Sequence, residues 1–171
     1  MRVCVCHRER VQAVKQVYFD MDGVLADFDQ GVINTMGRPY DDDMKKDFWK
    51  RDCVEKQIFL NMPEIKAGLD LLFDVEQMGL DICIMTSTGG APNHHAIARQ
   101  KLSWLESRGL EKYPVAFCTG TASKGRFAQP GALLIDDRGK VCAEWERQGG
   151  TSFLFTPRSA GYIAFMLATA L

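Results

Sequence analysis

The amino-acid sequence predicts an α/β fold, a parallel β-sheet between helices, with a small helical insertion after the first strand. Three observations lead there. Short apolar runs alternate with stretches of helical spacing, the pattern that builds a parallel sheet with helices on both faces. The runs are apolar throughout rather than at every second residue, which suits strands covered on both sides. One segment, from about Gln30 to Asn61, breaks the alternation, with charges clustered at Asp41-Asp42-Asp43 and Lys45-Lys46 among a few aromatics.

Taken in order, the first strand is Val17-Tyr18-Phe19, ending at Asp20. After the insertion, Pro63, a favoured first-turn residue, opens a helix in which Ile65, Leu69, Leu72 and Phe73 keep helical spacing. Ile82-Cys83-Ile84-Met85 is the second strand, and Asn93 is placed to cap a helix with Ala98, Leu102 and Leu105 on one face. Val115-Ala116-Phe117-Cys118 is the third strand, Leu133-Leu134-Ile135 the fourth and Ser152-Phe153-Leu154-Phe155 the fifth. Val141 and Trp145 mark the helix between the last two, closed by Gly149-Gly150. Ser159 is placed to cap a final helix lined by Ile163, Leu167, Ala170 and Leu171, too short to cross a bilayer and expected to dock on the sheet. The expected division is an N-terminal extension over 1–16 and a single domain over 17–171, with a helical cap at about 30–61.

With 171 residues, 46% hydrophobic and 25% charged, the chain has the size and composition of one globular domain that can bury a core. A disordered tail, a collagen-like fibre and a coiled coil are excluded. Lys+Arg 21 against Asp+Glu 22 leaves a formal net charge of −1. Extended nucleic-acid binding normally draws on a basic excess to displace counterions from many phosphates, so this balance counts against it. A small anionic substrate needs only a few local charges. The cysteines, Cys4, Cys6, Cys53, Cys83, Cys118 and Cys142, are scattered, two of them inside apolar strands, which argues against a disulfide framework. Cys4, Cys6 and His7 have no second pair at zinc-ligand spacing and read as part of the extension. No signal peptide or membrane-length apolar run is visible, so no membrane partner is expected and a reduced cytoplasmic location is the default.

The chemistry-bearing stretch is Val17-Tyr-Phe-Asp20-Met-Asp22-Gly23-Val-Leu-Ala-Asp27-Phe28. An apolar strand delivers Asp20 and Asp22 into a turn at Gly23, and in open α/β sheets the ligand crevice lies beyond the carboxyl ends of the strands. The fourth strand ends likewise in Asp136-Asp137. Clustered carboxylates raise one another's pKa, and a hard divalent cation such as magnesium relieves that conflict. One such pair alone reads as a capped helix or solvated turn; two pairs at matching strand ends do not.

These residues resemble the motifs of the haloacid dehalogenase superfamily, whose phosphatases hydrolyse phosphate esters through an aspartyl-phosphate. Asp20-Met-Asp22-Gly-Val is similar to its first motif, D-x-D-G-x-[TV]. Thr86, closing the second strand, resembles its Ser/Thr motif, Lys124 its single-lysine motif and Asp136-Asp137 its acidic motif. The likeness spans Val17 to Phe155 and implies a three-layer, Rossmann-like sheet. It implies Asp20 as nucleophile and Asp22 as acid and then base. It also implies Mg2+ held by the Asp20 carboxylate, the Asp22 backbone carbonyl and the Asp136-Asp137 pair, with either member of the pair as direct ligand. Thr86 and nearby N–H groups would hold phosphoryl oxygens, with Lys124 supplying positive charge.

Within the superfamily, the string Asp20-Met-Asp-Gly-Val-Leu-Ala-Asp-Phe28 resembles the opening of the 5′(3′)-deoxyribonucleotidases. Thr86-Ser87, Leu133-Leu-Ile-Asp-Asp137 and Lys101-x-x-Trp104 are similar too. This implies a nucleoside monophosphate as substrate, with Phe28 packed on the base, Ser87 among the binding residues, and Phe48 and Trp49 as the cap aromatics. A homodimer is left open. The insertion is shorter than that family's usual cap, and the loop Thr88-Gly-Gly-Ala-Pro-Asn93-His94-His95 differs from its counterpart. Gly89-Gly90 reads as a flexible turn and His94 and His95 as surface residues. Two alternatives stand: the same chemistry on a phosphosugar or a nucleic-acid terminal phosphate, or a non-catalytic binding protein of this fold. The presence of both Asp20 and Asp22 weighs against the second.

Overall fold

A computed structural model describes residues 14–41, 43–89 and 92–170. Cys4, Cys6, His7, Asp42, Gly90 and Leu171 lie outside the described residues. Five strands, β1 (Gln16–Asp20), β2 (Asp81–Ser87), β3 (Val115–Cys118), β4 (Ala132–Asp136) and β5 (Thr151–Leu154), form one sheet in the order β3-β2-β1-β4-β5. Every pairing is parallel, and Phe19 lies level with Ile84 on β2 and Ile135 on β4. The apolar runs thus mark all five strands. The order changes direction between β1 and β4, so the crevice at a topological switch point opens where Asp20 and Asp136 end their strands.

The strands bury both faces. On one, Val17, Phe19, Ile84, Leu133 and Ile135 pack with α4 (Lys66–Gln77), α5 (His94–Glu106) and α7 (Ala160–Ala170). On the other, Tyr18, Met85, Ala132 and Leu134 meet α6 (Gly139–Arg147) through Val141 and Trp145. Ile163 and Leu167 of α7 are buried as their spacing predicts. Ser159 does not act as an ordinary cap there: its Oγ accepts from the Thr156 N–H at 2.9 Å, behind the helix start. Among the described residues, no helix is long and apolar enough to cross a membrane. The cysteines at 53, 83, 118 and 142 are free.

Two helical faces are rotated from the expected ones. In α4 the buried residues are Gly68, Leu71, Leu72 and Val75, while Phe73 is exposed. Gly68 is the cause: a Cβ there would lie 1.8 Å from the Val24 carbonyl oxygen, so the helix touches the loop after β1 backbone to backbone. In α5 the buried set is Ile97, Lys101, Trp104 and Leu105, with Leu102 exposed. A charged residue occupies a position on the inward stripe.

The insertion is helical but broken. It holds α1 (Phe28–Met36), capped by Asp27 through the Gln30 N–H at 2.9 Å, then α2 (Lys45–Asp47), a π-helical turn (Phe48–Asp52) and α3 (Cys53–Glu55). Side chains of α5 hold it down. Asn93 donates to the carbonyls of Trp49 and Lys50 at 2.9 and 2.6 Å instead of capping its own helix. Gln100 donates to the Val54 carbonyl and accepts from the Phe59 N–H, and Trp104 donates to the Met62 carbonyl at 2.7 Å.

Candidate active site

β1 carries Asp20 to the carboxyl end of the sheet, where the chain folds back: the Leu25 and Ala26 N–H groups donate to the Met21 carbonyl. Gly23 has φ +89°, and a Cβ there would fall 2.3 Å from Asp137 Oδ2. The turn needs glycine for its backbone angle and for its contact, which brings the end of β4 against the loop of β1.

Lys124, on a 3₁₀ turn (Thr121–Phe127), is buried between the two strand ends, its Nζ 2.8 Å from Asp20 Oδ2 and 2.7 Å from Asp136 Oδ2. Asp20 Oδ1 accepts from the Met21 N–H at 2.8 Å, and Asp136 Oδ1 from the Arg138 N–H at 2.9 Å. One oxygen each from Asp20, Asp136 and Asp137 lies within 4.8 Å of the others. Burial pushes the Asp20 carboxyl well above the usual carboxylate range; Lys124 opposes this, while Asp136 and Asp22 add to it. The Asp137 side chain is open to the pocket on one side, but burial of its carboxyl under Gly23, aided by Asp136, pushes it up to about 6. Burial works against the Lys124 ammonium, yet Asp20 and Asp136 outweigh it and hold the group above its usual range. Even with Lys124 in place, the cluster is short of positive charge. Its all-oxygen donor set fits a hard divalent cation.

A second ammonium lies on the far side of Asp22. Lys101 Nζ donates to Asp22 Oδ2, to Thr86 Oγ1 at 2.7 Å and to the Ser87 carbonyl at 2.7 Å.

Above these groups opens a pocket of about 440 Å³. Asp20, Asp22, Lys124 and Asp137 form its floor, and Phe28, Tyr40 and Trp49 give it an aromatic wall. Trp49 sits in the π-helical turn, a widened geometry frequent at functional sites, and its Nε1 donates to Tyr40 Oη at 3.0 Å. Ser87 and Gly89 line the side near β2, and Asp27, Asp29 and Arg138 the rim.

The fold therefore brings Asp20, Asp22, Lys124, Asp137, Phe28, Ser87 and Trp49 to one cavity, with Asp136 fully buried beneath it. Two further expected residues, Thr86 and Phe48, lie behind the pocket lining. Thr86 is wholly buried and its hydroxyl accepts from Lys101, while Ser87, the next residue along β2, reaches the lining. Phe48 is also wholly buried, with its ring edge-on to those of Phe28 and Trp49 at 5.9 and 5.2 Å. It backs the wall and does not form it. His94 and His95 do not line the pocket, their rings packing on each other at 3.7 Å. The sequence alone assigns no site role to Tyr40, Asp29, Arg138 or Lys101. Arg138 follows the acidic pair directly, and Lys101 lies in the Lys-x-x-Trp string, so a signal existed for both. None marked Tyr40 or Asp29.

No protein-family model and no curated protein matches this chain. Among solved structures, a putative beta-phosphoglucomutase from Thermotoga maritima is similar with a TM-score of 0.54 at 16% identity, covering 90% of this chain and 100% of that one. A Had-superfamily hydrolase from Ehrlichia chaffeensis gives 0.54 at 12% identity, over 92% of this chain and 98% of the other. A hydrolase from Streptococcus pneumoniae TIGR4 gives 0.52 at 17% identity, over 84% and 94%. At these identities the likeness is one of fold: the chain has the α/β, Rossmann-like architecture that these structures share.

Proposed function

We propose that the chain is a magnesium-dependent phosphomonoester hydrolase of the haloacid dehalogenase superfamily, acting on (deoxy)ribonucleoside monophosphates. The observation that carries this reading is the convergence of Asp20, Asp22, Lys124 and Asp137 on the floor of one pocket with an aromatic wall. The motif resemblance agrees with phosphoryl chemistry, and the three fold relatives are two hydrolases and a putative beta-phosphoglucomutase.

Asp20 attacks phosphorus in line, forming an acyl phosphate, and its Lys124 partner offsets charge on the phosphoryl oxygens. Asp22 gives a proton to the departing ester oxygen and later takes one from the hydrolytic water. The Ser87 side of the pocket receives the phosphoryl oxygens, with Thr86 holding Lys101 behind it. Asp20, the Asp22 backbone carbonyl and the Asp136-Asp137 pair would hold the metal, Asp137 being the member of the pair that lines the pocket. Bound there, magnesium supplies positive charge that lets an anionic nucleophile meet an anionic phosphate. Phe28 and Trp49 offer flat surface to a nucleobase.

The test is a panel of ribo- and deoxyribonucleoside monophosphates and phosphosugars, assayed with magnesium or EDTA. Phosphate release is expected only with the metal, and Asp20→Asn, which keeps size but removes the anionic nucleophile, should lose nearly all of it. Full activity in that variant would exclude the mechanism; equal rates on phosphosugars would exclude the nucleotide assignment.

A further inference from the structure

Lys101 is the one cation on the inward stripe of α5, and it is wholly buried. An ammonium has three N–H donors, and here three acceptors meet it: Asp22 Oδ2, Thr86 Oγ1 and the Ser87 carbonyl. The Phe59 ring closes the remaining side, 4.6 Å from Nζ. With all donors engaged, the group cannot turn without leaving a buried acceptor unpaired. Its partners come from three separate parts of the molecule: the loop after β1, the end of β2 and the insertion. Asp22 Oδ1, in contrast, is buried with no hydrogen-bond partner among the described residues. One oxygen of this pocket-lining carboxylate is clamped by the ammonium and the other is buried without a partner.

We propose that Lys101 is a positioning residue that sets Asp22 for proton transfer. By holding Oδ2, it fixes the rotation of the carboxyl group and ties its aim to the Thr86-Ser87 strand end. The proposal rests on the phosphatase reading. In the step it serves, the Asp20–phosphorus bond forms and the phosphorus–ester oxygen bond breaks. The electron pair of the broken bond stays on the ester oxygen, which takes the proton from Asp22 and leaves as the alcohol. Lys101 touches none of the reacting atoms. Phe59 extends the same clamp to the insertion, so the acid is held from the cap side as well as from the sheet.

A leaving group reads this directly, because an alkoxide departs with a proton whereas p-nitrophenolate departs without one. We compare wild type and Lys101→Met, which keeps the length of the side chain, on p-nitrophenyl phosphate and on the alkyl phosphate that wild type turns over best. The alkyl-ester kcat should fall by about 100-fold, the low end of what acid–base catalysis contributes, and the aryl-ester kcat by at least tenfold less. In an Asp22→Asn background, Lys101→Met should add no further loss on either ester. Equal losses on the two esters, or a full additional loss in that background, would overturn the proposal and leave the phosphatase reading standing. If wild type hydrolyses neither ester, or Asp20→Asn is fully active, the phosphatase reading falls and the proposal with it. Should Lys101→Met lose its near-UV circular dichroism, Lys101→Gln, whose amide keeps two donors, gives the same contrast between esters.

Discussion

Asp136 and Asp137 are adjacent in sequence and do different work. Asp136 is buried, holding Lys124 and the Arg138 N–H, while Asp137 lies under Gly23 with one side open to the pocket. This gives a sign to the effect of pH. Burial raises the Asp137 carboxyl to about 6, against an ordinary aspartate near 4. The folded chain therefore holds that proton more tightly than the unfolded chain does. The stability this brings is fully present below the unfolded pKa and is lost as pH rises through about 6. Asp20 shifts in the same direction. In EDTA, wild-type Tm should fall between about pH 4 and pH 7, and Asp137→Asn should lose part of that fall. Magnesium should raise the wild-type Tm at pH 7 and leave the variant nearly unmoved. Thermal scans with and without the metal decide it, and an equal magnesium response in the variant would exclude Asp137 as a ligand. Asp20, Asp22, Asp136 and Asp137 are legible in sequence because each stands at or just past the end of an apolar strand. Tyr40 and Asp29 are not, since only the fold of the insertion carries them to the pocket.

The strands were legible as elements and the helical faces less so, for one physical reason. A continuous apolar run identifies a doubly covered strand whichever way its side chains point, but a helix's inward face has to be inferred from which residues look apolar. In α4 the face is set by Gly68, whose lack of a side chain lets the helix meet Val24, and in α5 by the buried Lys101. Neither counts as apolar in the periodicity, so the apolar pattern points about one position away from both faces. The contact at Gly68 is testable. In an open helix, Gly→Ala gains about 1 kcal/mol from backbone entropy alone. At Gly68 the new methyl would have to displace the Val24 carbonyl, and overpacking of this kind costs about 1–3 kcal/mol or more. Gly68→Ala should therefore lower stability by about 1–2 kcal/mol in urea unfolding despite its better helix propensity. It should also reduce turnover, since Val24 adjoins Gly23 and the Asp22 loop. A more stable variant would show that α4 can back away from the site at no cost.

At the scale of the molecule, the pocket divides its work between two parts of one chain. The carboxyl end of the sheet supplies the charged floor, and the insertion supplies Tyr40 and Trp49, held over it by Asn93, just before α5, and by Gln100 of α5. Because α5 also carries Lys101, the helix that fixes the wall also fixes the acid. Such an arrangement separates recognition from chemistry. Floor substitutions should slow phosphate esters whether or not they reach the rings, whereas wall substitutions should act only on substrates that do. Base–aromatic stacking is worth about 1–3 kcal/mol by alanine substitution, which corresponds to about 5- to 150-fold in affinity. Trp49→Ala should thus raise KM for nucleoside monophosphates about tenfold or more, and Phe28→Ala should weaken nucleotide turnover more than that of a small phosphate ester. With glycerol phosphate, too small to span from floor to wall, the Trp49→Ala KM should change little. Phe28 also packs on Tyr40, Phe48 and Phe59, so its loss disturbs the wall more widely, and Trp49 gives the cleaner comparison. Equal losses on both substrates in Trp49→Ala would mean that the rings support the insertion and no base rests on them. The substrate would then be one that the floor recognises unaided.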